Sequence, residues 1–97
     1  MINAILNILY KSKIFDIKII KNKNLYSENI IIVTAISEKH IKYLANSIIK
    51  ILKKEHFIVS GQNTGWIIID INTITLHIML ETTRSIYALE LLYENNN

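Results

Sequence analysis

The sequence predicts an α/β fold, a small mixed β-sheet with helices packed on it. Two observations support this class: apolar residues recur at three- and four-residue steps in some segments, and in others they alternate or form β-branched runs. The first pattern is typical of amphipathic helices and the second of strands. The segments follow one another in the order αββαβββα. The 97 residues suffice for one core, so we assign a single domain over residues 1–97.

The first half of the chain supplies a short helix, two strands and a long helix. Residues 2–11 have a helical apolar stripe, and FDIKII (15–20) alternates as a strand. After a polar break, IIIVTA (30–35) is typical of a buried central strand. Ser37 suits the N-cap of the long helix, and Glu38 suits the positive end of its dipole. The apolar positions of that helix are Ile41, Leu44, Ala45, Ile48, Ile49 and Leu52.

The second half continues with three strands and a last helix. HFIVS (56–60) reads as a short strand, and GQNTG (61–65) is a loop between the only two glycines. The stretch WIIIDINTITLHIML (66–80) is predicted to be a hairpin of two strands. ETTRSIYALELLY (81–93) returns to helical spacing. These elements, with the preceding strands and long helix, make up residues 14–93, which we predict to be the central part of the domain after the short N-terminal helix 2–11.

Composition narrows the functional classes. The chain has no cysteine, which excludes a disulfide framework, a thiolate zinc site and a cysteine nucleophile. No apolar run approaches the roughly 20 residues of a membrane span, so we expect a soluble, cytoplasmic protein. The lysines lie between positions 11 and 54, and Arg84 is the only later Lys or Arg. The C-terminal part is therefore locally acidic and suits a basic partner better than naked nucleic acid.

The predicted hairpin separates its side chains into two faces. If Asn72 and Thr73 are the central turn residues, Ile71 faces Ile74 and Trp66 faces Met79. Asn tolerates the positive φ of such turns, whereas Thr does not favour it. Alternation then places Ile67, Ile69, Ile71, Ile74, Leu76 and Ile78 on one face, which we assign to the core. The other face carries Trp66, Ile68, Asp70, Thr75, His77 and Met79, a mixed composition typical of a surface that meets another surface.

Three residues of the mixed face have both structural and functional interpretations. Asp70 and His77 could act as an acid/base or metal pair, share a structural hydrogen bond, or belong to a docking surface. Nothing close in sequence supplies a nucleophile or further ligands, which disfavours catalysis. A lone Trp such as Trp66 more often serves simply in packing, but its place beside polar groups on the non-core face supports an interface role as well.

Spaced residues along the second half of the chain carry a family resemblance. They are Gly61, Trp66, Asp70, His77, Arg84, Tyr87, Leu89, Glu90, Leu92 and Tyr93. This set resembles the ribosomal silencing factor family, also called the Iojap family. Upstream, ENIIIVTAISEKHIK is similar to that family's D-Y-F-V-I-A-T-G-x-S segment. The resemblance covers nearly the whole chain from about Ile14.

The chain departs from the family pattern at several positions. Glu28 and Asn29 stand where the family usually has Asp-Tyr, and Ala35 stands for a glycine. Ser60 replaces an acid before the loop, and Tyr93 replaces a usual Trp. Contacts that family members make through the Asp-Tyr pair, or through the acid before Gly61, are therefore not expected to carry over to this chain.

The resemblance implies a non-enzymatic role in translation. Members bind the large ribosomal subunit through ribosomal protein L14 and sterically block joining of the small subunit; organelle relatives act in large-subunit assembly. It implies no cofactor, no metal and no small-molecule substrate. The expected partner-binding residues are Trp66, Ile68, Asp70, His77, Arg84, Tyr87, Glu90 and Tyr93. Self-association of the free protein, an assembly role and an organelle location stay open.

Two other classes of function compete with this one. The family's fold resembles the nucleotidyltransferase fold, whose enzymes hold two magnesium ions with an Asp-x-Asp pair and a third carboxylate. This chain has only Asp16 and Asp70 and no Asp-x-Asp, so the enzyme hypothesis fails on ligand count. A general RNA-binding domain would use the lysines between 11 and 54, and it predicts binding to free ribosomal RNA that weakens steeply with salt.

Overall fold

A computed structural model of the chain describes residues 2–12, 14, 16–21, 29–52, 55–61 and 64–87. Within these ranges the elements are α1 Ile2–Lys11, β1 Ile17–Lys21, β2 Asn29–Ala35, α2 Glu38–Ile51, β3 Phe57–Ser60, β4 Trp66–Ile71, β5 Ile74–Leu80 and α3 Glu81–Tyr87. The predicted order αββαβββα is confirmed. Residues 88–93 of the last predicted helix lie outside the described residues.

The five strands form one mixed sheet in the order β1-β2-β5-β4-β3. β2 and β5 pair in parallel, and the other three pairs are antiparallel. A parallel pair needs a long crossover, which α2, β3 and β4 provide between β2 and β5. This topology places the β-branched strand β2 and strand β5 at the centre of the sheet, while β1 and β3 form its two edges.

The main core lies between one face of the sheet and helices α1 and α2. The inward face of the β4–β5 hairpin contributes Ile67, Ile69, Ile71, Ile74, Leu76 and Ile78, as its alternation predicts. The helices contribute Ile5, Leu9, Ile41, Leu44, Ala45 and Ile48, and Leu52 at the C-cap of α2 joins them. Because these positions recur at three- and four-residue steps, each helix buries a single stripe and leaves the opposite side to solvent.

The start of α2 follows from a side-chain cap. Ser37 has an extended backbone, and its Oγ accepts a hydrogen bond from the backbone N–H of His40 at 3.0 Å. Glu38 lies in the first turn, where the helix dipole favours an acidic side chain. The predicted N-cap is therefore confirmed, and it fixes where the chain turns from the end of β2 into the helix.

The β4–β5 hairpin has the predicted register. Ile71 lies opposite Ile74, Ile68 opposite His77 and Trp66 opposite Met79. Asn72 has a φ of 51° and is the one non-glycine residue with positive φ in the described part of the chain. Thr73 thus avoids the conformation that it disfavours, and the turn supports the pairing without placing strain on a β-branched residue.

Candidate partner-binding face

The second face of the sheet carries the mixed side chains that the alternation predicts, but much of it is buried. Thr75, His77 and Met79 on β5 are only 7%, 3% and 0% exposed. Trp66, Ile68 and Asp70 on β4 are partly exposed. The expectation of an exposed surface over the whole hairpin is therefore corrected: on this face the β4 side chains are partly exposed, whereas those of the neighbouring strand β5 are buried.

The exposed part of this face continues onto the edge strand β3. Ile58 pairs with Asp70, and Ser60 pairs with Ile68. Residues directly opposite in an antiparallel pair point to the same face, so Ile58 and Ser60 extend the row of β4. The side chain of Ile58 is 66% exposed. We call Ile58, Ser60, Trp66, Ile68 and Asp70 the β3–β4 strip.

The sequence pattern did not predict that Ile58 belongs to this face, because HFIVS was assigned as a strand without a pairing partner. The signal was available in principle: a loop between two glycines, Gly61 and Gly65, joins HFIVS to the next strand. Both glycines have positive φ, 81° and 77°. A hairpin assigned across that loop would have placed Ile58 beside β4.

Trp66 is held by its neighbour on β5. Its indole Nε1–H donates to Nδ1 of His77 at 3.0 Å, and the two ring centroids lie 5.8 Å apart at an interplanar angle of 38°. Burial lowers the pKa of His77 to about 4, while the carboxylate of Asp70 acts in the opposite direction. His77 is therefore neutral at pH 7, and its Nδ1 is available as an acceptor. Because His77 is only 3% exposed, its imidazole is too buried to contact a partner directly.

Asp70 lies near the turn end of β4 and is oriented by Thr75. The Thr75 hydroxyl donates to Oδ1 of Asp70 at 2.8 Å. A pocket of about 300 Å³ opens beside this carboxylate and is lined by His56, Phe57, Ile58, Asp70 and Asn72. Asn72 in turn donates to Glu55 at 3.4 Å, which places a second carboxylate nearby. The lining combines apolar residues with the Asp70 carboxylate, a composition that suits the aliphatic stem and charged end of a Lys or Arg side chain.

Arg84 belongs to a different part of the molecule. Its Nη1 donates to the Thr34 hydroxyl at 2.7 Å and to the Asp16 backbone oxygen at 3.3 Å, and it lies 3.1 Å from the Asp16 carboxylate. Thr34 also donates to that carboxylate at 3.1 Å. With 12% of its side chain exposed, Arg84 connects α3 to β2 and to Asp16, the residue before β1, and it does not join the β3–β4 strip. The Tyr87 side chain, Glu90 and Tyr93 lie outside the described residues.

Replacement of Arg84 by methionine is expected to lower the free energy of unfolding by about 2 kcal/mol, because charge-assisted hydrogen bonds with little solvent access are lost. Denaturant unfolding at pH 7 measures it. Asp16→Asn is the matched control and should cost less than about 1 kcal/mol, since the Asp16 carboxylate is largely exposed. A methionine variant as stable as the wild type would contradict this role.

The described residues contain no group of three or more His, Cys, Asp or Glu side chains placed to hold a metal together. Asp16 and Asp70, the two aspartates of the sequence, lie three strands apart and near opposite ends of the sheet. Strand spacing puts them roughly 20 Å apart, whereas two-metal catalysis needs carboxylates around ions about 4 Å apart. The hydrogen bonds of the mixed face join Asp70 to Thr75 and His77 to Trp66.

A family model described as "Ribosomal silencing factor during starvation" matches residues 1–97. The chain belongs to the ribosomal silencing factor family. A Haemophilus influenzae protein named ribosomal silencing factor RsfS is 33% identical to it over 78 residues, covering 76% of each chain. The resemblance read from the spaced Trp, Asp, His and Arg residues is thereby confirmed.

Two solved structures share the fold of this ribosomal silencing factor domain. A crystal structure of a Chromobacterium violaceum protein superposes with a TM-score of 0.86 at 26% identity, covering 95% of this chain and 82% of that one. A second, from Bacillus halodurans, has a TM-score of 0.82 at 20% identity and covers 95% of this chain and 91% of that one. At 20% identity, the likeness to the Bacillus halodurans structure establishes the fold alone.

Membership in the silencing factor family associates the chain with the ribosome and with a regulatory, non-enzymatic family role. Across the ranges that the structure describes, no helix is both long enough and apolar enough to cross a membrane.

Proposed function

We propose that this protein is a cytoplasmic translational repressor that binds the large ribosomal subunit at ribosomal protein L14 and sterically blocks joining of the small subunit. Family membership supports ribosome association, and the β3–β4 strip supports a protein partner. The observation that carries the proposal is the partly exposed row of Trp66, Ile68 and Asp70 along β4, with the exposed Ile58 of β3 opposite Asp70.

The composition of the strip fits the surface of a basic protein. An aromatic ring and exposed aliphatic side chains supply the apolar centre from which small interfaces gain most of their energy. Ribosomal proteins are commonly rich in Lys and Arg, and the pocket beside Asp70 offers such a side chain an apolar wall and a carboxylate. The strip therefore combines an anchor with a charge that sets orientation.

The proposed mechanism needs affinity and position but no chemical turnover. A sheet with strands paired on both sides of β4 is a rigid support, so little ordering cost accompanies binding. A bound domain would then occupy the volume that the small subunit needs. An assembly role uses the same contact, and the two roles differ in when the large subunit is bound.

Co-sedimentation with purified large and small subunits tests the proposal. The wild type should pellet with the large subunit, and a Trp66→Ala, Asp70→Lys double variant should lose at least ten-fold in affinity. Tyr43→Ala with Asn46→Lys is the matched control, because it makes a similar change at exposed positions of α2. Circular dichroism confirms that both variants are folded. Binding to neither subunit, or equal loss in both variants, would overturn the proposal.

A further inference from the structure

We propose that His77 is a positioning residue for partner binding, which acts by fixing the indole of Trp66 in the orientation that the partner meets. This inference rests on the proposed function, because it assigns the β3–β4 strip a supporting residue beneath it. His77 does not touch the partner. It acts through the 3.0 Å hydrogen bond from the indole Nε1–H to its Nδ1.

The first step of the argument is the unequal exposure of the two rings. His77 is 3% exposed and lies on the central strand β5, between Ile32 of β2 and Ile68 of β4. Trp66 is partly exposed and packs against Met79 and its neighbours. A partly exposed ring at the margin of a cluster has several rotamers available, and a fixed acceptor on the neighbouring strand selects one of them.

The second step is the chemistry of the acceptor. Indole N–H is a donor only, so it needs an acceptor, and a protonated imidazole offers none. Burial keeps His77 neutral, and His77 is the group that makes this site selective for one indole orientation. Charged groups of the described chain on this side of the sheet include Asp70 on β4 with Glu55 near it, Lys18 on β1, and the ion pair of Arg84 on α3 with Asp16. Asp70 is the one among them that acts on the pKa of His77.

The third step is energetic. Preorganisation of an anchor side chain improves affinity because the ordering cost has been met before binding. Loss of the fixed orientation therefore lowers affinity without removing any atom that touches the partner. This distinguishes His77 from a residue that only fills space in the core.

Two substitutions separate positioning from packing. His77→Phe keeps a ring of similar volume but removes the acceptor. His77→Asn leaves a cavity, yet its side-chain oxygen can take the place of Nδ1. Positioning predicts that His77→Phe loses about ten-fold in affinity for the large subunit while His77→Asn stays within about three-fold. A packing role predicts the opposite order, and that order would overturn the inference.

Trp66 is the only tryptophan in the chain, so its emission reports this site alone. His77→Phe should shift the emission maximum to the red, and His77→Asn should leave it near the wild-type value. In the wild type, the single indole N–H resonance should exchange slowly with solvent. Rapid exchange together with an unchanged emission in His77→Phe would overturn the positioning role, even where both variants bind poorly. If the wild type fails to bind the large subunit, the proposed function fails, while these spectra still decide whether His77 fixes the indole.

Discussion

Substitution of Gly61 by alanine lowers the free energy of unfolding by an expected 3 kcal/mol or so, the largest single effect that we expect in the loop before β4. Gly61 has a φ of 81°, which disfavours any residue with a Cβ. An added Cβ would also collide with the backbone oxygen of Trp66, which cannot move without shifting the strand. Denaturant unfolding at pH 7 measures the loss.

Gly65→Ala is the matched control for this prediction. Its φ of 77° is similar, but its added Cβ would meet the ends of side chains, Thr83 Oγ1 at 3.0 Å and Leu80 Cδ1 at 3.3 Å. Because side chains can move aside, we expect a loss of about 1.5 kcal/mol. Equal losses in the two variants would show that backbone conformation alone, and not the contact with Trp66, governs the loop.

Acidification from pH 7.5 to 5 should destabilise the domain by about 2 kcal/mol through His77 alone. The pKa of this imidazole is 6.5 in the unfolded chain and about 4 in the folded one. Between these values the unfolded state binds the proton and the folded state does not. The contribution of His77 to the free energy of unfolding is therefore fully present above pH 6.5 and is lost progressively as the pH falls toward 4.

The unfolding free energy measured at half-unit intervals from pH 7.5 to 5 tests this prediction. His77→Phe has no imidazole at this position and should show a change that is smaller by the same 2 kcal/mol or so. The difference between the two curves isolates His77 from every other titrating group. Parallel curves for wild type and variant would contradict the assignment.

The register of the hairpin could be predicted from the sequence because two local signals agree. The two-residue period of WIIIDINTITLHIML divides its side chains into faces, and Asn72 tolerates the positive φ of a two-residue turn. A shift of one residue would move every isoleucine of the core face to the opposite face of the sheet, away from helices α1 and α2. Local periodicity and turn chemistry thus determined this part of the fold.

The exposure of each face could not be predicted in the same way. Whether His77 is buried depends on β2, which the sequence places more than 40 residues earlier and which pairs with β5 in parallel. The contact of Arg84 with Asp16 joins positions 68 apart. Such long-range pairings depend on the overall topology of the sheet. The family resemblance therefore identified candidate site residues but did not predict which of their side chains are exposed.

The two edge strands of the sheet differ in how well their side chains prevent pairing with strands of other molecules. β1 carries Lys18 and Lys21, and such charges discourage a second sheet from pairing there. β3 reads Phe-Ile-Val-Ser, has no charge, and exposes Ile58. This uncharged edge strand carries Ile58 and Ser60 of the β3–β4 strip, the surface that we propose binds a partner. If a partner binds the strip as we propose, it covers the edge at which free molecules could pair with one another, so binding would also protect the protein from aggregation.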